Sequence, residues 1–145
     1  MLGWLKKKAK VTARDVAKFE KKDLMEATVG IGVLTMWVSG SAEDAEREKL
    51  NKILANTPAL ANFGSEVQGT LQRYDTMCKD MGFMGAKVHI MREIKQCQGD
   101  QHEMEDVLVT GLTVALSDGE MDEKEEKLLR EVASLFGLRL ENFLA

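Results

Sequence analysis

Proline is nearly absent from this chain: among 145 residues Pro58 is the single one. With no other ring to interrupt backbone hydrogen bonds, long helices are permitted, and a 44% apolar composition supplies the core they need. An all-α domain is the plainest reading. Cysteine is scarce as well. Cys78 and Cys97 are too few for a disulfide framework and stand at no C-x-x-C or Cys/His ligand spacing, which points to a reducing, intracellular setting. Long apolar runs are missing, so nothing reaches the roughly 20 residues that a membrane span needs. In "MLGWLKKKAK" the charges follow the apolar residues instead of preceding them, which excludes a signal peptide or a spanning anchor. There is no Gly-rich phosphate loop, no G-x-S-x-G and no H-E-x-x-H, and His89 and His102 have no nucleophile or ligand partner at useful spacing. The expectation is a protein that is not an enzyme.

The formal net charge of −4 hides an asymmetry. Lysines and arginines crowd residues 1–22, and the remainder is acidic, which argues against nucleic-acid binding by the domain. Residues 1–20 therefore read as a basic arm or short helix and 21–145 as one helical domain. Leu2, Leu5, Ala9, Val16 and Phe19 fall at roughly helical spacing in the arm. Residues 1–22 could make a peripheral contact with an anionic membrane surface, although a solvated or core-packed helix is the plainer reading.

Beyond the arm, "DLMEATVGIGVLTMWVSG" reads as a central buried helix, with Gly30 and Gly32 tolerated because a missing side chain lets another helix come close. "SAEDAEREKLNKILANTP" restarts with Ser41 and Asp44 as a near capping box and stops before Pro58. Val67, Leu71, Tyr74, Met77 and Met81 mark an amphipathic helix ending at Gly82 and Gly85. Val88, Ile90 or Met91, and Ile94 carry the next one. "QHEMEDVLVTGLTVALSDG", apolar nearly all round from Val107 to Leu116, predicts a second buried helix. The stretches from Val29 and from Val107 match each other: Leu34 faces Leu112, Ser39 faces Ser117 and, with one extra residue in the second loop, Glu46 faces Glu125 and Leu50 faces Leu129. This predicts two pseudo-symmetric helical-hairpin halves in one compact bundle.

"SDGEMDEKEE" is where chemistry concentrates. Asp118, Glu120, Asp122 and Glu125 lie between a buried helix and an amphipathic one, with Gly119 to turn the chain, and hard divalent cations take carboxylate ligands of this kind. An ordinary EF-hand is excluded, because Glu123 stands where that loop needs glycine and Leu129 where it needs the bidentate glutamate. Asp122 followed by Glu125 is also a capping box, so helix capping competes with cation binding as the explanation. The residues by themselves leave both open.

The paired S-x-G turns, the "SDG…E…REVASLFGL" ending and "KDLMEATVGIG" together resemble the tellurite-resistance TerB family, from about Lys21 to the end. The resemblance implies about seven helices in two related halves, acidic turns that bind a divalent cation, calcium among the candidates, and a bacterial role in resistance to tellurite and related stresses. It also implies a cytoplasmic adaptor working beside a TerC-like membrane protein, at the inner face of the membrane. In the second turn it carries over to Asp118, Gly119 and Glu125. The first turn departs: Gly40-Ser41 stands where the family has Asp-Gly, leaving Glu43, Asp44 and Glu46 as the carboxylates there. The alternative is a metal-free interaction module, co-chaperone-like or phage-associated, whose acidic turn only caps a helix.

Overall fold

The structure is a computed structural model that describes residues 21–144. The basic arm, 1–20, lies outside them. Among the described residues there are five α-helices, two 3-10 turns and no strand: α1 Lys22–Trp37, α2 Asp44–Ala55, α3 Ser65–Lys95, α4 Gln101–Ala115 and α5 Glu123–Leu135, with the short turns at Pro58–Leu60 and Leu140–Phe143. The all-α expectation holds. Among the described residues these elements leave the count of about seven helices unconfirmed.

α1 is the axis of the molecule. Every residue from Ala27 to Trp37 is buried, because α3, α4 and α2 all pack against it. The glycines make those approaches close. A Cβ built on Gly30 would stand 2.7 Å from Ile90 Cγ2 of α3, and one on Gly32 would stand 2.8 Å from Leu50 Cδ1 of α2. The helix-propensity loss of about 1 kcal/mol at each glycine is therefore offset by packing that alanine would obstruct. Gly111 repeats the device on α4, where a Cβ would lie 2.6 Å from Leu129 Cδ2 and 2.8 Å from Ile31 Cγ1.

Two elements depart from the expected pattern. α3 does not end at Gly82 and Gly85: Gly82 takes φ 78°, ψ 165°, and the helix resumes immediately, with Gly85 inside it. That single extended residue resets the helical phase, so the side chains beyond it no longer continue the earlier stripe. Met81 and Val88, expected on the inner face, are exposed, while Ile90 and Ile94 are buried as expected and Ala86 joins them. α4 is buried on one side only, since α1 and α5 cover Val107, Leu108, Gly111 and Leu112 while Val109 and Leu116 face outward. Its apolar run exceeds what its neighbours can cover.

A buried carboxylate that the sequence did not single out fixes the end of α1. Asp75 of α3 accepts hydrogen bonds from Trp37 Nε1 at 2.7 Å and from Arg47 Nε at 2.8 Å. Arg47 also donates to the Ala42 carbonyl at 3.0 Å, and its guanidinium lies 5.7 Å from the Trp37 ring centroid. One ion pair thus ties α1, α2, α3 and the connection between α1 and α2 together.

Candidate functional site at the paired turns

The connections after α1 and α4 are built alike. Gly40 donates its N–H to the Trp37 carbonyl at 2.7 Å and Gly119 to that of Leu116 at 2.9 Å. Both glycines have left-handed φ, 99° and 102°, which a side chain would resist. Three residues later each helix begins on an acidic cap. Asp122 accepts from Glu125 N at 2.8 Å while Asp122 N donates to Glu125 Oε1 at 3.0 Å. In the first turn Glu43 is the cap and its N–H donates to Glu46 Oε1 at 3.0 Å, in the same reciprocal arrangement. Ser41 and Asp44 do not form the capping box expected from their spacing. The glutamate side chain of Glu43 takes the position because the three-residue span from Gly40 puts it, not Ser41, at the first free amides.

This geometry also corrects the register of the first turn. Gly40 occupies the place of Gly119, so Ser39, not Gly40, stands where the second turn has Asp118. The extra residue of the second connection is taken up before the glycine. At that place the first turn has the Ser39 hydroxyl where the second has the Asp118 carboxylate.

The seven acidic residues divide into two sets. Glu46, Asp118 and Glu125 line one cavity of about 190 Å³ between the turns, floored by Thr35, Leu50 and Val114. Glu43, Asp44, Glu120 and Asp122 do not line it; all four are exposed, and Asp44 pairs with Arg47 at 3.2 Å. Lys49 of α2 reaches into the same cavity and its ammonium bonds Asp118. That lysine was invisible to a search for ligands, since its role is to be a cation, and only the packing of α2 beside α4 brings it to a residue 69 positions away.

Crowding leaves a mark on Glu125. Its carboxyl is raised above the ordinary range, first by burial and then by the charges of Asp122 and Asp118, against the Asp122 amide that lowers it. A cation in the cavity would relieve this strain. The donor set is three carboxylates and a backbone turn, all hard oxygen, which suits Ca²⁺ or Mn²⁺ better than a thiophilic metal. The three side chains do not yet converge as ligands. Among the described residues the one trio of His, Cys, Asp or Glu whose ligand atoms lie within 4.8 Å of one another is elsewhere, at Asp23, Glu26 and Glu93.

Both cysteines are free and buried. Cys78 and Cys97 are each 1% exposed, and burial pushes both thiols up to about 12, with carboxylates adding to it: Asp75 for Cys78, and Glu103 and Asp23 among those near Cys97. At neutral pH the thiolate fraction is negligible. Native protein should therefore react with iodoacetamide at least about 100-fold more slowly than the same chain in denaturant. Fast alkylation of the folded chain, followed by mass spectrometry, would show that one thiol is accessible after all. His89 and His102 are both exposed and line none of these sites. Among the described residues no helix is long and apolar enough to cross a membrane.

No match is found among curated proteins or among solved structures. A protein-family model described as tellurite resistance protein TerB matches residues 25–145, which takes in α1 from Met25 onward, both turns and all that follows. By that match, over most of its length, the chain belongs to the TerB family.

Proposed function

We propose that the chain is a non-enzymatic, divalent-cation-binding adaptor in bacterial tellurite resistance and related stress responses, with the cavity between its two turns as the cation site. The observation that carries this reading is the meeting of Glu46 from one turn with Asp118 and Glu125 from the other around a single cavity. Two related halves, each ending a buried helix on a left-handed glycine and opening the next on an acidic capping box, would produce that arrangement by duplication. Membership of the TerB family supports the resistance setting. Calcium and manganese are the first cations to try.

Lys49 sets the terms of binding. It holds Asp118 in the absence of a divalent ion, but the pair is well exposed, with side chains 45% and 77% accessible, and such pairs are worth less than about 1 kcal/mol. A divalent ion facing three carboxylates outcompetes it. The adaptor surface is a separate region: exposed Met84 and half-buried Phe83 lie beside Lys124 and Lys127, which make no ion pair among the described residues. An acidic, apolar segment of a partner such as a TerC-like membrane protein would suit it.

The Lys49–Asp118 bond favours one other reading, a metal-free interaction module in which lysine is the permanent counter-ion and the acidic residues only cap helices. Calorimetric titration with Ca²⁺, Zn²⁺ and Mn²⁺ separates the two. Cation binding predicts a saturable heat that Asp118→Asn weakens by about tenfold or more, since it removes one ligand and its charge. No saturable heat with any of the three ions, or heat unchanged in Asp118→Asn, leaves the module.

A further inference from the structure

Beyond its break at Gly82, α3 carries the least covered apolar side chains of the molecule. Met84 is 68% exposed and Val88 56%, the two highest values for large apolar residues among the described ones. They stand four residues apart on one arm of the helix and therefore point the same way. Scattered apolar side chains are normal at a surface, but neighbouring ones beside a cleft mark a contact region. The cleft is present. It holds about 210 Å³ between the second arm of α3 and the first turns of α5, and Val38, Phe83, Met84 and Leu128 supply its apolar lining.

Charge on this face runs against that of the domain. Residues 21–145 hold 14 lysines and arginines against 22 aspartates and glutamates, a formal charge of −8. Lys124 and Lys127 nevertheless line the cleft and make no ion pair among the described residues. Arg92 and Lys95, four residues on from Val88 and Met91, continue the same side of α3 and are likewise exposed and unpaired among the described residues. Lys87, by contrast, is bound to Glu131 of α5 at 2.9 Å.

Uncovered apolar groups with four free cations fit a ligand that is apolar on one side and negatively charged along its edges. An acidic amphipathic helix and an anionic membrane surface both have that character, and the rest of the molecule chooses between them. A membrane is wide compared with the screening length of about 8 Å, so it would also meet the surplus negative charge around the patch. A helix about 10 Å across touches the patch alone. Among the described residues there is no strand whose edge an extended peptide could join, so helix in groove is the mode this surface offers. Met84 suits that mode, because an unbranched thioether adapts to the side chain it meets.

We propose that the cleft and the adjoining side of α3, from Phe83 to Lys95, form a docking track for an acidic amphipathic helix of a partner protein, an inference that rests on the adaptor reading and deepens it. An apolar side chain of the partner enters the cleft against Phe83, Met84 and Leu128. Its flanking carboxylates meet Lys124 and Lys127 there, and Arg92 and Lys95 farther along. At about 1.5 Å per residue the track is about 18 Å long, room for about three turns of the partner. It shares no lining residue with the cavity at the turns, so the two can be tested apart.

The probe is a synthetic peptide of about four helical turns, with leucines at alternating intervals of three and four and glutamates on both sides of that stripe. A second peptide has glutamine for every glutamate. The full chain, labelled with ¹³C in its methionine methyl groups, is titrated with each and followed by NMR, Met84 being identified by the signal lost in Met84→Leu. The expected result is a saturable shift of the Met84 methyl with the acidic peptide, weaker by about fivefold or more with the glutamine peptide and in Lys124→Gln/Lys127→Gln. Arg92→Gln/Lys95→Gln should weaken it by about threefold, and Asp118→Asn should leave it unchanged. All four cations are exposed and unpaired among the described residues, so both variants should melt with the wild type. A fixed Met84 signal, an equal shift with the glutamine peptide, or a shift unaltered in both cation variants overturns the proposal. So does sedimentation with phosphatidylglycerol-containing vesicles that Lys124→Gln/Lys127→Gln reduces while the peptide moves no signal, since the patch then serves a lipid surface. Failure of the peptide with saturable cation heat intact removes this track alone, and a peptide shift without cation heat leaves it standing while the turn cavity falls.

Discussion

Replacing Gly111 by valine should lower stability by about 3 kcal/mol and the melting temperature by about 10 °C. The cause is contact on two sides. A Cβ at this position would meet Leu129 Cδ2 of α5 at 2.6 Å and Ile31 Cγ1 of α1 at 2.8 Å, and Cγ1 of isoleucine is not a free end that swings aside. Relief would require α4 to move from both helices at once, in a core packed without spare room. Alanine should do less harm, about 1–2 kcal/mol, because its gain in helix propensity of about 1 kcal/mol offsets part of the overpacking. The order valine worse than alanine worse than glycine, measured by denaturant unfolding, is the expected outcome. An alanine variant more stable than the wild type would mean that α1, α4 and α5 do not pack this closely.

The second large effect is at Asp75. Removing its carboxylate by Asp75→Ala should cost about 3–4 kcal/mol, since the buried Trp37 N–H and the half-buried Arg47 guanidinium both lose their acceptor. The same pair makes stability depend on pH. Burial acts to raise the Asp75 pKa, but hydrogen bonds from Arg47 and Trp37 and the charges of Arg47 and Lys79 outweigh it, so the folded-state value is lowered. A depressed carboxyl contributes stability that is fully present above its unfolded pKa, about 3.9, and is lost as pH falls through the folded value. The wild type should therefore lose stability below about pH 4 more steeply than Asp75→Asn, which keeps the shape and has no charge to titrate. Parallel acid profiles for the two proteins, measured by urea unfolding at each pH, would remove Asp75 from this role.

Both effects come from the same property of α1, which is surrounded. Its burial was legible because "TVGIGVLTMW" offers no polar stripe, and the two glycines in it announced close neighbours. The neighbours' identities were not legible: Gly30 faces Ile90 and Gly32 faces Leu50, contacts 60 and 18 residues apart in the chain that no local period encodes. Spacing also misjudged α3 at Gly82, where a helix end was expected, because one residue with positive φ breaks the geometry and the helix resumes at once after it. The acidic turn itself was read from its residues, and its capping box is present as expected. Lys49 and Asp75 were missed for one physical reason. Each is defined by an oppositely charged partner on a distant element, and such long-range pairing leaves no trace in a single strand of sequence. The trio Asp23, Glu26 and Glu93 was missed likewise, although Asp23 and Glu26 lie on neighbouring turns of α1.

At the paired turns, the account rests on Lys49 holding a place that a divalent ion takes over. Substitution of this lysine by methionine keeps the aliphatic stem and removes the ammonium, so Asp118 loses its internal counter-ion while Glu46 and Glu125 stay where they are. The deciding measurement is calorimetric titration of Lys49→Met and wild-type protein with Mn²⁺ and Ca²⁺ under matched salt. Saturable binding at the turns is expected to be about five- to tenfold tighter in Lys49→Met, the gain of removing a competing positive charge from an exposed site, and that gain should vanish when Asp118→Asn is added. Equal affinities in Lys49→Met and wild type, or a gain that persists without Asp118, would contradict it.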